Sequence, residues 1–167
     1  MKNNALVVVS GLPGVGKTTL AKALAHALDA RHFNTDTVRE NLHLRGQYDP
    51  TTKAKVYQAL SQNVCQSLSE GATTVIDGTF YLAALRKPYF DLSATLEIPI
   101  YWIELKADEA TIRERVSRSR PHTDADFGVY QSIRDQYEPM DTPHLELSTD
   151  QHDIGQLLAQ AQKYIES

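Results

Sequence analysis

Nine consecutive residues carry the clearest chemical signal in this chain: Gly11-Leu12-Pro13-Gly14-Val15-Gly16-Lys17-Thr18-Thr19. Two glycines five apart, followed at once by Lys-Thr, make a loop whose backbone N–H groups can turn inward around an anion. The glycines permit the positive φ that such a turn needs. Lys17 would reach the terminal phosphates of a nucleotide, and the Thr18 hydroxyl would ligand Mg²⁺. A β-prone run, Ala5–Val9, leads into Ser10-Gly11, and Leu20, Leu24 and Leu28 follow at helical spacing. A helix starting near Lys17 would therefore aim its N-terminal dipole at the same anion. Gly11, Pro13, Gly14, Val15, Gly16, Lys17, Thr18 and Thr19 are the candidate ATP-binding residues.

A second acid belongs with this loop. Val75-Ile76-Asp77 places a carboxylate at the C-terminal edge of a buried strand, where ligands sit in parallel sheets. Asp77 and Thr18 are the candidate Mg²⁺ ligands; a plain strand-ending turn at Asp77-Gly78 is the bland alternative. Further on, Arg113-Glu114-Arg115-Val116-Ser117-Arg118-Ser119-Arg120 concentrates cations. Phosphoryl transfer needs positive charge over the oxygens of the moving phosphate, and an arginine-bearing lid would supply it. On a continuous helix Arg115 and Arg118 share a face, whereas Arg120 lies about 200° from Arg118. Arg115 and Arg118 are thus expected to approach the phosphates as a pair, with Arg120 the looser ATP contact before Pro121. The alternative is a solvated helix face with Glu114 pairing its neighbours. No Asn-Lys-x-Asp run that would read guanine is present, and together with the short chain and the arginines this separates a kinase from a switch GTPase or a motor.

With these residues in place the sequence resembles the zeta-toxin and polynucleotide-kinase-like branch of P-loop kinases. The resemblance runs from Leu6 to about Pro139. It rests on residues 11–19, on Asp36-Thr37-Val38-Arg39, on Val75-Ile76-Asp77-Gly78-Thr79-Phe80, on the arginine segment with Thr123-Asp124-Ala125-Asp126, and on Glu138-Pro139. It implies that Asp36 is the general base on an acceptor hydroxyl and that Arg39, one helical turn on, holds a phosphate or polar group of that acceptor. Thr79 and Arg86 would line the same pocket. One departure is the irregular spacing of Arg115, Arg118 and Arg120 for the family; separately, Thr35-Asp36 also reads as a simple helix cap. The acceptor is not named by these motifs. A polynucleotide 5′-hydroxyl kinase and a non-catalytic ATP-binding module stay as alternatives to a kinase of small hydroxyl compounds.

The elements that must position these residues alternate along the chain. Strand-like runs at Ala5–Val9, Arg31–Asn34, Thr73–Ile76, Ile98–Leu105 and Leu145–Leu147 are separated by helical patterns. Those patterns begin at Leu20, at Val38, at Val56 (with Leu60, Val64 and Leu68), at Leu82, at Asp108 and at Ile154. Such alternation predicts an α/β fold. Specifically, a P-loop three-layer sandwich is expected, with a five-stranded, mainly parallel sheet and a helical lid at about 108–137. At 167 residues a single domain is the natural expectation.

Composition narrows the setting. Hydrophobic residues at 41% and charged residues at 23% exclude a disordered chain. A net charge of −4 leaves no general nucleic-acid footprint beyond a local basic patch. The longest apolar run is far too short for a membrane span, and no signal-peptide pattern opens the sequence. One cysteine, Cys65, fits a reducing cytoplasm and reads as an inert thiol. The six histidines show no metal-ligand spacing, so His32 and His144, like the others, are given no role. Tyr101 and Trp102 are assigned to the core or its flank.

Overall fold

The computed structural model describes residues 4–118 and 127–167. Five strands, β1 (Leu6–Ser10), β2 (Arg31–Asn34), β3 (Thr74–Gly78), β4 (Ile100–Lys106) and β5 (Leu145–Ser148), form one sheet in the order β2-β3-β1-β4-β5. Every pair in it is parallel. The helices are α1 (Lys17–Leu28), α2 (Thr35–Asn41), α3 (Pro50–Ser69), α4 (Ala83–Leu96), α5 (Glu109–Ser117), α6 (Phe127–Gln136) and α7 (Ile154–Glu166). The expected α/β sandwich is therefore what the chain adopts.

A strand at the centre of a parallel sheet is covered on both faces, so it must be apolar on both. β1 meets that demand with Leu6, Val7, Val8 and Val9, all fully buried. Val7 and Val9 face one core with Leu20, Ala21 and Leu24 of α1, Ile112 and Val116 of α5, and Leu157 and Ala161 of α7. Leu6 and Val8 face a second core with Val56, Leu60, Val64 and Leu68 of α3, and with Phe80, Tyr89 and Trp102. Trp102 is thus a core residue, and its indole N–H donates to Ser10 Oγ at 2.8 Å.

Two strand ends run further than the sequence pattern suggests. β1 reaches Ser10 and β3 reaches Gly78, because Ser10 pairs with both Gly78 and Glu104. Asp77 is consequently a paired strand residue opposite Val9 and Asn34, not the turn after the strand. Among the described residues the helical stretch expected from Asp108 to Tyr137 is two helices, α5 and α6; Arg120, where the sequence before Pro121 also suggests a break, and residues 123–126 lie outside the described residues.

The helix starts differ in a way that bears on the site. Asn34, Asp49, Asp108 and Asp153 cap α2, α3, α5 and α7 through side-chain oxygens. Helix α1 has no side-chain cap and no acid in its first turn; Gly16 stands at its N-cap in the left-handed region. Asp36 is not a cap. Asn34 Oδ1 accepts from Thr37 N–H at 2.7 Å, so Asp36 sits inside the first turn with its carboxylate free of capping. Asn34→Ala is therefore expected to cost about 1 kcal/mol in urea unfolding. Asp36→Asn should cost clearly less, and the reverse order would return the capping role to Asp36.

Candidate active site

β1 lies between β3 and β4; the chain runs from β1 toward β2 on one side and from β4 toward β5 on the other, which opens a crevice at the C-terminal ends of these strands. Into this crevice the chain sends the turn between β1 and α1. Gly11 has φ +150°, and a Cβ there would stand 2.6 Å from Leu105 O, so no other residue fits without moving β4. Gly16, at φ +94°, turns the chain into α1 with open space beside it. The uncapped N–H groups of α1 then face the crevice, an arrangement suited to phosphate oxygens. Lys17 Nζ donates to Leu12 O at 3.1 Å across the loop.

Asp77 is almost fully enclosed and held at both oxygens. Its Oδ1 accepts from Thr18 Oγ1 at 2.9 Å, and its Oδ2 lies 2.6 Å from His32 Nε2. His32 pairs in register with Val75, so its side chain shares a face with Asp77 two residues further along β3. Sequence spacing gave His32 no role; only the parallel pairing of β2 with β3 brings it to the site. The donor set fits a hard cation. The Thr18 hydroxyl and the Asp77 carboxylate, already side by side through their hydrogen bond, offer the oxygen ligands such an ion takes.

Opposite the loop, Asp36 lines the same cavity of about 370 Å³, as do Arg39, Tyr48, Lys53, Tyr57, Thr79 and Tyr81. Arg39 Nη1 donates to Asp36 Oδ1 at 3.2 Å, which orients the carboxylate, whose side chain is 80% exposed. Tyr57 Oη accepts from Phe80 N–H at 3.2 Å and shares a hydrogen bond with Thr79 Oγ1 at 3.1 Å. Burial raises the Tyr57 phenol above its ordinary range, against those two hydrogen bonds. Phe80 has φ +46°, a strained value for a residue with a side chain. Its ring is fixed edge-on against Tyr57, Tyr89 and Trp102 at 5.2–5.3 Å.

Arg86 belongs to that turn rather than to the cavity. It is not among the lining residues; it is buried and donates from Nε to Phe80 O at 2.7 Å and from Nη2 to Glu138 O. Burial lowers its guanidinium below the usual arginine range, partly offset by Glu104. Its expected place against an acceptor gives way to a bracing role, because both its hydrogen bonds are to backbone carbonyls.

Arg115 and Arg118 both border the cavity but do not form a matched pair. Arg115 Nη1 donates to Gly14 O and Val15 O at 3.3 Å and to Thr149 Oγ1 at 2.9 Å, and Nη2 donates to Thr149 O at 3.3 Å. It ties the phosphate loop to the turn after β5. Arg118, at the end of α5, is exposed and ion-paired with Glu114 one turn back. Arg113 lies over the Phe127 ring at 4.0 Å, on the outer face of the helix.

The AAA domain family matches residues 6–140, most of the chain. This chain belongs to that family. An uncharacterized protein of Mycobacterium tuberculosis is 26% identical over 152 residues, which are 83% of this chain and 30% of that protein. The chain thus spans under a third of that relative's length. The L-seryl-tRNA(Sec) kinase of Methanococcus maripaludis is 21% identical over 155 residues, covering 89% of this chain and 57% of the other. Among solved structures, the Mycobacterium tuberculosis APS kinase CysC in complex with AMPPNP and APS superposes with a TM-score of 0.78 at 19% identity, covering 99% of each chain. That superposition establishes the fold as a P-loop α/β sandwich.

Burial lowers the Lys17 ammonium below the usual lysine range, opposed by Asp77 and then Asp36. The unfolded chain therefore holds this proton more tightly, and stability rises with pH across the window between the lowered and the ordinary lysine values. Lys17→Met is expected to leave the ligand-free melting midpoint unchanged or higher while abolishing ATP binding. A variant that melts lower than wild type and still binds ATP would contradict this.

Proposed function

We propose that this AAA-domain chain is an ATP-dependent, Mg²⁺-assisted kinase that transfers the γ-phosphoryl group to a hydroxyl of an acceptor. The observation that carries the reading is a single cavity with the uncapped start of α1 on one side and the Asp36 carboxylate on the other. The APS-kinase structure that shares the fold holds AMPPNP, which supports assigning ATP to residues 11–19. Within the family we place the chain with the zeta-toxin and polynucleotide-kinase-like branch, on Asp36-Thr37-Val38-Arg39 and Asp77-Gly78-Thr79-Phe80. The whole of 1–167 is proposed to act as one domain, with 108–137 as its lid and the cytoplasm as its compartment. Among the described residues no helix is long and apolar enough to cross a membrane.

In this reading the acceptor oxygen attacks the γ-phosphorus as the bond to the bridging oxygen of ADP breaks, and the hydroxyl proton passes to Asp36. Arg39 orients Asp36 for that transfer. The N–H groups of residues 14–19 and the Lys17 ammonium hold the β- and γ-phosphates, and their positive charge meets what develops on the leaving oxygen. Thr18 and Asp77 would hold Mg²⁺, with His32 fixing the second Asp77 oxygen; the bound ion would neutralise phosphate charge. Arg115 keeps the loop in shape, and Arg118 is the cation free to swing from Glu114 toward the phosphates.

A γ-labelled ATP assay over hydroxyl acceptors tests the reading. Asp36→Asn is expected to lower kcat by roughly 10²–10⁴ with ATP affinity retained, because an amide cannot take the proton. Full activity in this variant would remove Asp36 as base, and ATP binding without transfer to any acceptor would favour a binding module. His32→Ala should raise the Mg²⁺ concentration needed for half-maximal rate, and should also lower the melting midpoint, because it strips a hydrogen bond from the enclosed Asp77 carboxylate. An unaltered Mg²⁺ titration would show that Asp77 needs no such partner. Arg118→Ala should lower kcat more than it raises the KM for ATP, and a KM effect alone would make it a ground-state clamp.

A further inference from the structure

Two glutamates face each other across the β4–β5 pair: Glu104 is the register partner of Glu146. Like charges directly opposite on a sheet destabilise it unless a cation stands between them. Glu104 is enclosed, its side chain only 6% exposed, whereas Glu146 is exposed. His144, just ahead of β5, stands against both, with Nε2 3.2 Å from Glu104 Oε2 and 3.3 Å from Glu146 Oε1. The other ring nitrogen, Nδ1, lies 2.7 Å from Thr142 O. A carbonyl oxygen only accepts, so Nδ1 carries the ring proton and Nε2 is aimed at the two carboxylates. An imidazolium would donate its Nε2–H to one carboxylate at about 2.7–2.9 Å. The two contacts are instead longer and nearly equal. They are close to the edge of about 3.3 Å between ligands of a tetrahedral ion with bonds of about 2.0–2.1 Å.

We infer that Glu104, His144 and Glu146 bind a divalent transition cation of the zinc type, with the fourth position open on the Glu146 side. One imidazole with carboxylates is a donor set that such ions take. The groups behind the ligands suit this. Thr142 O fixes the ring through Nδ1, and Tyr137 donates its hydroxyl to Glu104 Oε1, leaving Oε2 for the ion. Lys106 is the competitor. Its ammonium donates to Glu146 Oε1 at 2.9 Å, but both side chains are exposed, so the pair is weak and an arriving ion displaces it. Arg86 acts on Glu104 from α4, while its hydrogen bonds go to Phe80 O and Glu138 O. None of the three ligands lines the phosphate-loop cavity, so this site is separate from Thr18 and Asp77. Tyr137 follows α6 directly, and the ion therefore ties β4, β5 and the end of that helix together. Sequence spacing gave His144 no role because Glu104 comes from another strand.

The test strips the full chain with a chelator and titrates it with Zn²⁺ by calorimetry, with the melting midpoint read in parallel. A binding event of roughly micromolar affinity is expected, with a higher midpoint in saturating Zn²⁺. Binding should weaken at least about tenfold, and the rise in midpoint should shrink, in His144→Gln and in Glu146→Gln. Glu146 is exposed, so its amide variant keeps the fold. Tyr137→Phe should weaken binding by about tenfold, because it removes the hydrogen bond behind a ligand. Lys106→Met should bind as tightly as wild type or more tightly, and His32→Ala should retain the event. Absence of Zn²⁺ binding, or wild-type affinity in either His144→Gln or Glu146→Gln, overturns the inference and leaves a shared proton on His144 as the cation. Loss of the event in His32→Ala also overturns it, in favour of the Thr18–Asp77 site.

Discussion

The uncapped start of helix α1 is the constraint around which the molecule is arranged. A helix N-terminus leaves backbone N–H groups unpaired, and most helices here satisfy theirs with an Asn or Asp side chain. Helix α1 enters through Gly16 instead, and its first turn carries Lys and Thr. Keeping that end open requires the chain to leave β1 by a route with no side chain at Gly11, because the backbone of β4 passes there at Leu105. Arg115 then fixes the loop from outside through two of its carbonyls. The partial positive charge of the helix, the loop N–H groups and Lys17 thus gather at one end of the cavity, with Asp77 and Asp36 acting on the Lys17 charge from nearby.

The opposite wall depends on a different kind of constraint. After Asp77 the chain must turn sharply so that Thr79 lines the cavity and Phe80 drops into the second core. Phe80 accepts a left-handed backbone to do so. Its N–H goes to the buried Tyr57 hydroxyl, its carbonyl accepts from Arg86, and its ring packs against three aromatic side chains. Strain at one residue persists because the surroundings over-determine it. The same Tyr57 hydroxyl reaches Thr79, so the core of the fold and the acceptor wall are joined through one phenol.

Between these walls the charges divide by role. Asp77 is enclosed and held by Thr18 and His32, which suits a fixed ligand. Asp36 is exposed and held at one oxygen by Arg39, which suits a group that exchanges a proton with a ligand arriving from solvent. Both carboxylates lie at the C-terminal edge of the sheet, Asp77 in β3 and Asp36 in the first turn of the helix that follows β2, because β2 and β3 pair in parallel with Asn34 opposite Asp77.

The phosphate loop, the parallel alternation of strands and helices, and the pairing of Thr18 with Asp77 were legible in the sequence. The reason is that each depends on local chemistry: glycine spacing, an apolar run in β1, and an acid at a strand end. Asp36 was ambiguous, since Thr35-Asp36 also reads as a cap, and only the hydrogen bond from Thr37 to Asn34 removed the capping reading. His32 was invisible because its partner lies across two strands whose register the sequence does not print. The partners of Arg86 and Arg115 were hidden for a related reason. A cation near a phosphate-binding motif reads as a phosphate contact, whereas the folded chain had backbone carbonyls at Phe80, Glu138, Gly14 and Val15 to satisfy. Residue type states what a side chain can bind. Which partner it meets is settled by parallel register and by the burial of polar backbone, and those exist only once the sheet has formed.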